Sequence, residues 1–341
     1  VPEPRHLLVT GAAGFIGSHL VRRLLAAGHR VTGLDDLSTG SAENLAELPG
    51  GARFRLHEGD AATLLRSAAL EGTIDGVFHL AASVGVARVV DAPSASAENN
   101  LDQSRAVLRF ARERGAALLL ASSSEVYGKC PALPCREAAD LCFGPPTASR
   151  WSYGLAKALD EHLALDAARS GGGRVIIARL FNAIGPGQLG RYGMVVPRFV
   201  TAAAAGGELE VYGDGSQARC FCDVRDTAAA LERLLLGPAP AHEIFNVGGD
   251  EPVTIAALAE RVQRRARALG LPGGTIVHRP YEEVYGAGFE EPRRRVPDLG
   301  RVRAAGWAPR IGLDQTLDAL LRPLAAARSA GGTIQAVGVP A

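Results

Sequence analysis

The sequence predicts an α/β protein built on a doubly wound parallel sheet, with a smaller α/β region towards its C-terminal end. Three observations predict it. The stretch LLVTGAAGFIGSHL, residues 7–20, reads as strand, glycine turn and helix. Apolar strand-length runs then alternate with helical patterns up to residue 180, the rhythm of β-α-β units. From Phe181 the texture changes to closely spaced turn residues.

The elements follow in order. Leu7, Leu8 and Val9 form a short buried strand, and Gly11, Gly14 and Gly17 follow in the spacing G-x-x-G-x-x-G. One glycine makes the tight turn, one admits a pyrophosphate to the backbone, and one lets helix and strand pack closely. The helix that opens there offers free N–H groups to phosphate. This is a Rossmann-type dinucleotide turn, and Phe15 and Ile16 between the glycines belong to it. Strand VTGLD, residues 31–35, ends in Asp35, 18 residues after Gly17. A carboxylate there binds ribose hydroxyls and repels a 2′-phosphate, so NAD is favoured over NADP. Asp36 adds a second negative charge, and the loop after it contributes Ser38 and Gly40.

FRLHEGDA, residues 54–61, reads as a third strand whose end, Asp60 and Ala61, approaches the adenine. IDGVFHLAA, residues 74–82, is the fourth, and it runs out into Leu80, Ala81 and Ala82 as a floor for the cofactor. A helix over 93–115, a fifth strand over 116–122, a helix over 153–170 and a sixth strand over 175–180 complete the first half. Beyond it come a helix over 200–205, the run LEVYGDGSQARCFCDVRD, a helix over 227–236, a strand over 243–249 and a helix over 254–269. The division expected is residues 1–181 for the cofactor, with segments near 220–248 returning to that domain. Residues 182–328 serve mainly the substrate, and 329–341 form a tail.

Composition excludes other classes. The 341 residues are 47% hydrophobic and 21% charged with a net charge of +1, which argues against nucleic acid or a membrane surface as the main partner. No apolar run reaches membrane-spanning length, and the N-terminal VPEPRH lacks a signal-peptide core, so a cytoplasmic protein is expected. Five cysteines, Cys130, Cys135, Cys142, Cys220 and Cys222, contain no C-x-x-C pair. They are read as reduced thiols, with no metal site, and Cys220 and Cys222 as sharing one strand face.

The chemistry-bearing set is Ser122, Ser123 and Ser124 at a strand end, then Tyr153 and Lys157. Tyrosine and lysine at i and i+4 share a helix face. An ammonium beside a phenol stabilises the phenolate, and bringing tyrosine from pKa ~10 to near 7 needs roughly 4 kcal/mol. Lys157 and a positive nicotinamide are expected to supply it together, with a serine hydroxyl bonding the same substrate oxygen.

TGAAGFIGSHL, SSSEVYG, YGLAK and RLFNAIGPG together resemble the extended short-chain dehydrogenase/reductase family, and more narrowly its nucleotide-sugar epimerases, decarboxylases and dehydratases. The resemblance runs from Leu7 to about Leu321. It implies a tightly held NAD that takes a hydride from the sugar and later returns it. It implies Tyr153 as base, Lys157 as its partner and Ser123 as the active-site hydroxyl, with Ser124 and Glu125 beside them. Asn100 is placed near the cofactor. Asn182, Arg219 in VYGDGSQARCF, and Arg295 are placed at the diphosphate or sugar, and Phe289 at the base. Val195, Val196 and Tyr212 are added to the substrate set. A homodimer through helices near 96–114 and 153–170 is also implied.

Within that family Ser124-Glu125 replaces the Asp-Glu pair of the dehydratases, which disfavours dehydration. Glu125 in SSSEVYG and the run PTASRWSY resemble UDP-glucuronate decarboxylases, whereas GRYGMVVPRF, residues 190–199, resembles UDP-glucuronate 4-epimerases. Arg191 there matches an arginine that meets the substrate carboxylate, and a guanidinium fork suits that group. The sequence is therefore read as an NAD-dependent UDP-sugar 4-epimerase, most simply UDP-glucuronate to UDP-galacturonate. UDP-glucuronate decarboxylase is the alternative and UDP-glucose 4-epimerase the third. A non-catalytic NAD-binding regulator is the rival from another class, disfavoured by the intact Ser123, Tyr153 and Lys157.

Overall fold

In the computed structural model, strand β1 (His6–Thr10) lies between β2 (Arg30–Asp35) and β4 (Gly76–His79), parallel to both. The structure describes residues 3–67, 70, 72–82, 93–171, 173–190, 194–238, 243–285 and 292–330. β3 (Phe54–Glu58), β5 (Ala117–Ser123), β6 (Val175–Leu180) and β11 (Glu243–Val247) extend the sheet to seven strands in the order β11-β6-β5-β4-β1-β2-β3, parallel throughout. The strand order reverses between β1 and β4, where a sheet of this kind opens a crevice at its carboxyl ends.

Alternate side chains of each strand supply two cores. Leu7, Val9, Phe78, Leu119 and Ile176 face α1 (Phe15–Ala26) and a later helix, Val224–Leu236. Leu8, Val77, Leu118, Leu120 and Ile177 face the opposite side, where Val107 and Phe110 of Pro93–Arg114 and Ala164 of Ser152–Arg169 close over them. A sheet covered on both faces needs strands that are apolar at every position, which is why Leu7-Leu8-Val9 is continuous rather than alternating. In chain order the helices after α1 are α2 (Ala61–Arg66), α3 (Pro93–Arg114) and α4 (Ser152–Arg169).

Past β6 the chain forms β7 (Ala183–Ile184), α5 (Val195–Ala205), β8 (Glu208–Tyr212), β9 (Ala218–Cys220), β10 (Cys222–Asp223) and α6 (Val224–Leu236) before β11. After β11 come β12 (Pro252–Thr254), α7 (Ile255–Ala268), β13 (Thr275–Arg279), α8 (Tyr281–Tyr285), β14 (Arg294–Arg295), α9 (Gly300–Ala304) and α10 (Leu313–Ser329). Phe199, Leu209, Val211, Leu258, Val262 and Leu317 pack together as a separate apolar cluster of α5, β8, α7 and α10.

Several expectations are corrected. The helix expected over 200–205 starts at Val195, because Pro197 falls in its first turn, where a missing N–H costs nothing. β3 stops at Glu58, and Asp60 caps α2 instead, its Oδ1 accepting Thr63 N–H at 2.8 Å. The cysteines are not all reduced: Cys130 and Cys135 form a disulfide. Cys220 and Cys222 belong to separate strands, β9 and β10, and burial pushes both thiols up to about 12. Among the described residues no helix is long and apolar enough to cross a membrane, and no His/Cys/Asp/Glu group could hold a metal.

Candidate active site

A cleft of about 740 Å³ runs from the glycine turn, across the ends of β4 and β5, to β9 and β14. Gly11 has φ +70°, and a Cβ there would lie 2.8 Å from Ala81 N. At Gly17 a Cβ would lie 1.9 Å from Gly11 O. The turn is therefore closed on the protein side by its own backbone and by the expected floor. Gly14 is the N-cap of α1 and contributes no side-chain cap, which leaves the first N–H groups of the helix for an anion. Asp35 accepts Ala13 N–H through Oδ2 at 2.8 Å and Leu37 N–H through Oδ1 at 2.9 Å. Each oxygen keeps a second lone pair for a ribose hydroxyl. Burial pushes this carboxyl up, and the two N–H donors oppose that.

Three of the expected cofactor residues are not part of the cleft lining. Gly40 lies under Ala13, with a Cβ 2.8 Å from Ala13 C, so it shapes the turn rather than lining the cleft. Asp60 caps α2 through its Oδ1. Asn100 is buried within α3, outside the cleft lining. The other predicted cofactor residues line the cleft, Asp36, Ser38, Ala61 and Ser122 among them.

Tyr153 sits in the first turn of α4 and faces the cleft with Ser123, Ser124 and Glu125 from the end of β5. Ser123 hydrogen-bonds the Tyr153 phenol. Lys157 lines the cleft with Tyr153; its Nζ also donates to Asp160 Oδ2 at 3.2 Å, and both side chains are buried. Burial, then the Glu125 and Asp160 charges, push the Tyr153 phenol well above its ordinary value, against the Ser123 bond.

Glu125 is held by two guanidinium forks. Arg295 donates to it at 2.5 and 3.2 Å, and Arg150 at 2.7 and 3.2 Å. Burial alone raises the Glu125 carboxyl, but Arg295 and Arg150 outweigh burial and hold it well below the usual carboxylate range. Arg293 and Arg294 are exposed, whereas Arg295 is 3% exposed, so the basic run is not a uniformly solvated patch. Arg150 was missed by sequence reasoning, since nothing local marks a turn arginine for burial.

At the far end Arg295 of β14 and Arg219 of β9 are register partners. Tyr212 lies under the Arg198 guanidinium at 4.4 Å, and Asn182, Val195 and Val196 line the same stretch. Arg191 and Phe289 lie outside the described residues.

Residues 7–248 match the NAD dependent epimerase/dehydratase family. The chain belongs to that family. It is 36% identical over 328 residues to a UDP-N-acetyl-alpha-D-glucosaminuronate decarboxylase of Bacillus cytotoxicus, covering 92% of this chain and 95% of the relative. It is 33% identical over 318 residues to UDP-glucuronic acid decarboxylase 1 of Arabidopsis thaliana, covering 91% and 68%. Among solved structures, UDP-glucose 4-epimerase of Thermotoga maritima with UDP-glucose superposes with a TM-score of 0.80 at 27% identity, covering 93% and 97%. DesIV, a dTDP-glucose 4,6-dehydratase of Streptomyces venezuelae with NAD bound, gives 0.80 at 30%, covering 95% and 97%.

The cofactor of this epimerase/dehydratase-family protein is NAD. The glycine cradle and the paired Asp35 and Asp36 fit it. A buried polar layer supports the site from below. Arg179 forks onto Glu161 at 2.9 and 2.7 Å, and Ser122 donates to the same carboxylate at 2.5 Å, which fixes the end of β5 against α4. His79 Nδ1 bonds Thr10 Oγ1 at 2.8 Å, and burial, then Lys157, push the imidazole down to about 3.

Proposed function

We propose that the protein decarboxylates a UDP-hexuronate, by oxidation at C-4, loss of the C-6 carboxyl and return of the hydride. The observation that carries this is Glu125, fixed as an anion by Arg150 and Arg295 two residues from Ser123. The two decarboxylase relatives support it, and it takes precedence over the 4-epimerase expected from sequence.

Bound NAD supplies the hydride acceptor and a positive charge that lowers the raised Tyr153 phenol. Tyr153 takes the 4-hydroxyl proton, and Ser123 holds the same oxygen. Arg219 carries positive charge at the diphosphate end. Around a 4-keto uronate, a β-keto acid, loss of carbon dioxide passes the C-5–C-6 electron pair to O-4, and C-5 then takes a proton. The Arg150–Glu125–Arg295 cluster, one anion between two cations, offsets the developing enolate charge. Arg295 and Arg150 favour the anionic form of Glu125.

The test is incubation with UDP-glucuronate and, separately, UDP-N-acetylglucosaminuronate, with separation of the nucleotide sugars and a carbon dioxide assay. Carbon dioxide with a UDP-pentose or 4-keto pentose is expected from at least one uronate. UDP-galacturonate without carbon dioxide would return the assignment to 4-epimerase, which the fold likeness to UDP-glucose 4-epimerase favours. We also propose a homodimer, since Leu155 and Leu159 form an i,i+4 apolar stripe on α4, 45% and 46% exposed, and a cytoplasmic location. Light scattering tests the first.

A further inference from the structure

We propose that the Cys130–Cys135 disulfide is a redox-sensitive staple for the site. While it is formed, it holds the segment carrying Arg295 against the end of β5, and its reduction by a dithiol loosens the Glu125–Arg295 contact. The inference rests on that contact and not on which sugar is used.

The bond joins residues five apart on the segment that follows Glu125. On its near side Val126 and Tyr127 are buried, and the Tyr127 hydroxyl donates to Asn246 Oδ1 of β11 at 2.7 Å. On its far side Cys135 is fully buried and pairs with the segment after β14. Its N–H donates to Val296 O at 2.7 Å, and its carbonyl accepts Asp298 N–H at 2.9 Å. Val296 adjoins Arg295, whose guanidinium forks onto Glu125. A ring is thus closed: from Glu125 to Cys130, across the disulfide to Cys135, across the backbone bonds to Val296, and back through Arg295.

The disulfide is what makes that ring short. Residues 131–134 are exposed, so the direct chain between the two cysteines has little packing to fix it. Cys130 has φ +42°, a left-handed conformation that a non-glycine residue keeps where its surroundings impose it. Opening the bond frees both features at once. In a reducing compartment a disulfide is transient and redox-sensing rather than a permanent brace. The step is thiol–disulfide exchange. A thiolate of an external dithiol attacks Cys130 Sγ, the less covered of the two sulfurs, and Cys135 Sγ leaves and takes a proton. The second thiol of the dithiol then displaces Cys130, so the protein gains two electrons and two protons and the dithiol becomes a disulfide. Cys220 and Cys222 lie in other strands, and burial keeps them as unreactive thiols.

The experiment compares the purified full chain after equilibration with oxidised and with reduced dithiothreitol. Thiol titration in denaturant is expected to find three free thiols in the oxidised form and five in the reduced form. Amide hydrogen exchange is expected to quicken on reduction at residues 126–135 and 295–298, and to stay level in the glycine turn. With the nucleotide sugar that the product assay identifies, kcat/KM is expected to fall about 10–100-fold on reduction, the scale of a displaced positioning group, while NAD affinity holds. Reoxidation restores it. Cys130→Ser and Cys135→Ala are expected to match the reduced parent under both conditions, and Cys142→Ser to keep the response. Five free thiols in the oxidised protein would overturn the inference, as would unmoved exchange at 295–298 on reduction. Exchange that quickens throughout the chain would make the bond a general brace and overturn it too. Thiol counts and exchange use no substrate, so failure of the uronate assay leaves this result standing.

Discussion

Arg295 and Glu125, 170 residues apart in sequence, meet through two N–H···O bonds of 2.5 and 3.2 Å. The pair joins the end of β5 to β14, and through the β14–β9 pairing it also sets the position of Arg219. One contact thus links the hydroxyl and phenol of the oxidation step to the arginines at the diphosphate end.

Glu125→Gln keeps the shape and removes the anion. Carbon dioxide release is expected to fall by about 10²–10³-fold, the usual range for losing one fixed electrostatic partner. Oxidation at C-4 continues, so reduced cofactor accumulates in single-turnover absorbance traces. Arg150 and Arg295 lose their counter-charge, and stability falls by about 3 kcal/mol in chemical denaturation. Equal losses in oxidation and in carbon dioxide release would place Glu125 in the first step instead.

Tyr153→Phe removes the proton acceptor and little else, since its ring still packs in the first turn of α4. Turnover is expected to fall by about 10²–10⁴-fold. NAD binding, followed by thermal shift, stays intact because the glycine cradle and Asp35 are untouched. Retained turnover would remove the phenol from the mechanism.

The sheet was readable because its signals are local. Leu7 to Gly17 carries strand, turn and helix within 11 residues, and each apolar run matches one strand. Tyr153 and Lys157 were readable for the same reason. The buried i, i+3 contact of Lys157 with Asp160 was not, because it depends on how the helix packs. Arg150 and the Glu125–Arg295 contact depend on tertiary burial, which no spacing encodes. The cysteine expectation failed because Cys130 and Cys135 close a loop by position in space.

His79 gives the acid response a sign. The folded imidazole takes its proton only near pH 3, whereas the unfolded chain takes one below 6.5. Between those values the unfolded state binds more protons, so the stability His79 contributes is complete above 6.5 and is lost as pH falls towards 3, at about 1.4 kcal/mol per pH unit. Urea titrations at several pH values across this window are expected to show that slope, and His79→Asn is expected to reduce it. An unchanged slope would place the acid sensitivity in other groups.

Asn246 tests whether the Arg295 strand is positioned from behind. It is fully buried on β11, far in sequence from both partners it joins. Its Nδ2 donates to Cys135 O at 2.9 Å and to Asp298 O at 3.0 Å, and its Oδ1 accepts from Tyr127 at 2.7 Å. Cys135 in turn donates its N–H to Val296 O at 2.7 Å, one residue after Arg295. Asn246→Ala leaves those buried groups unsatisfied and is expected to cost about 2–3 kcal/mol. Because the loosened segment carries Arg295, KM for the uronate should rise while NAD affinity stays level, NAD being held by the other end of the cleft. Parallel losses in NAD and uronate binding would mean that Asn246 supports the fold as a whole rather than the Arg295 strand.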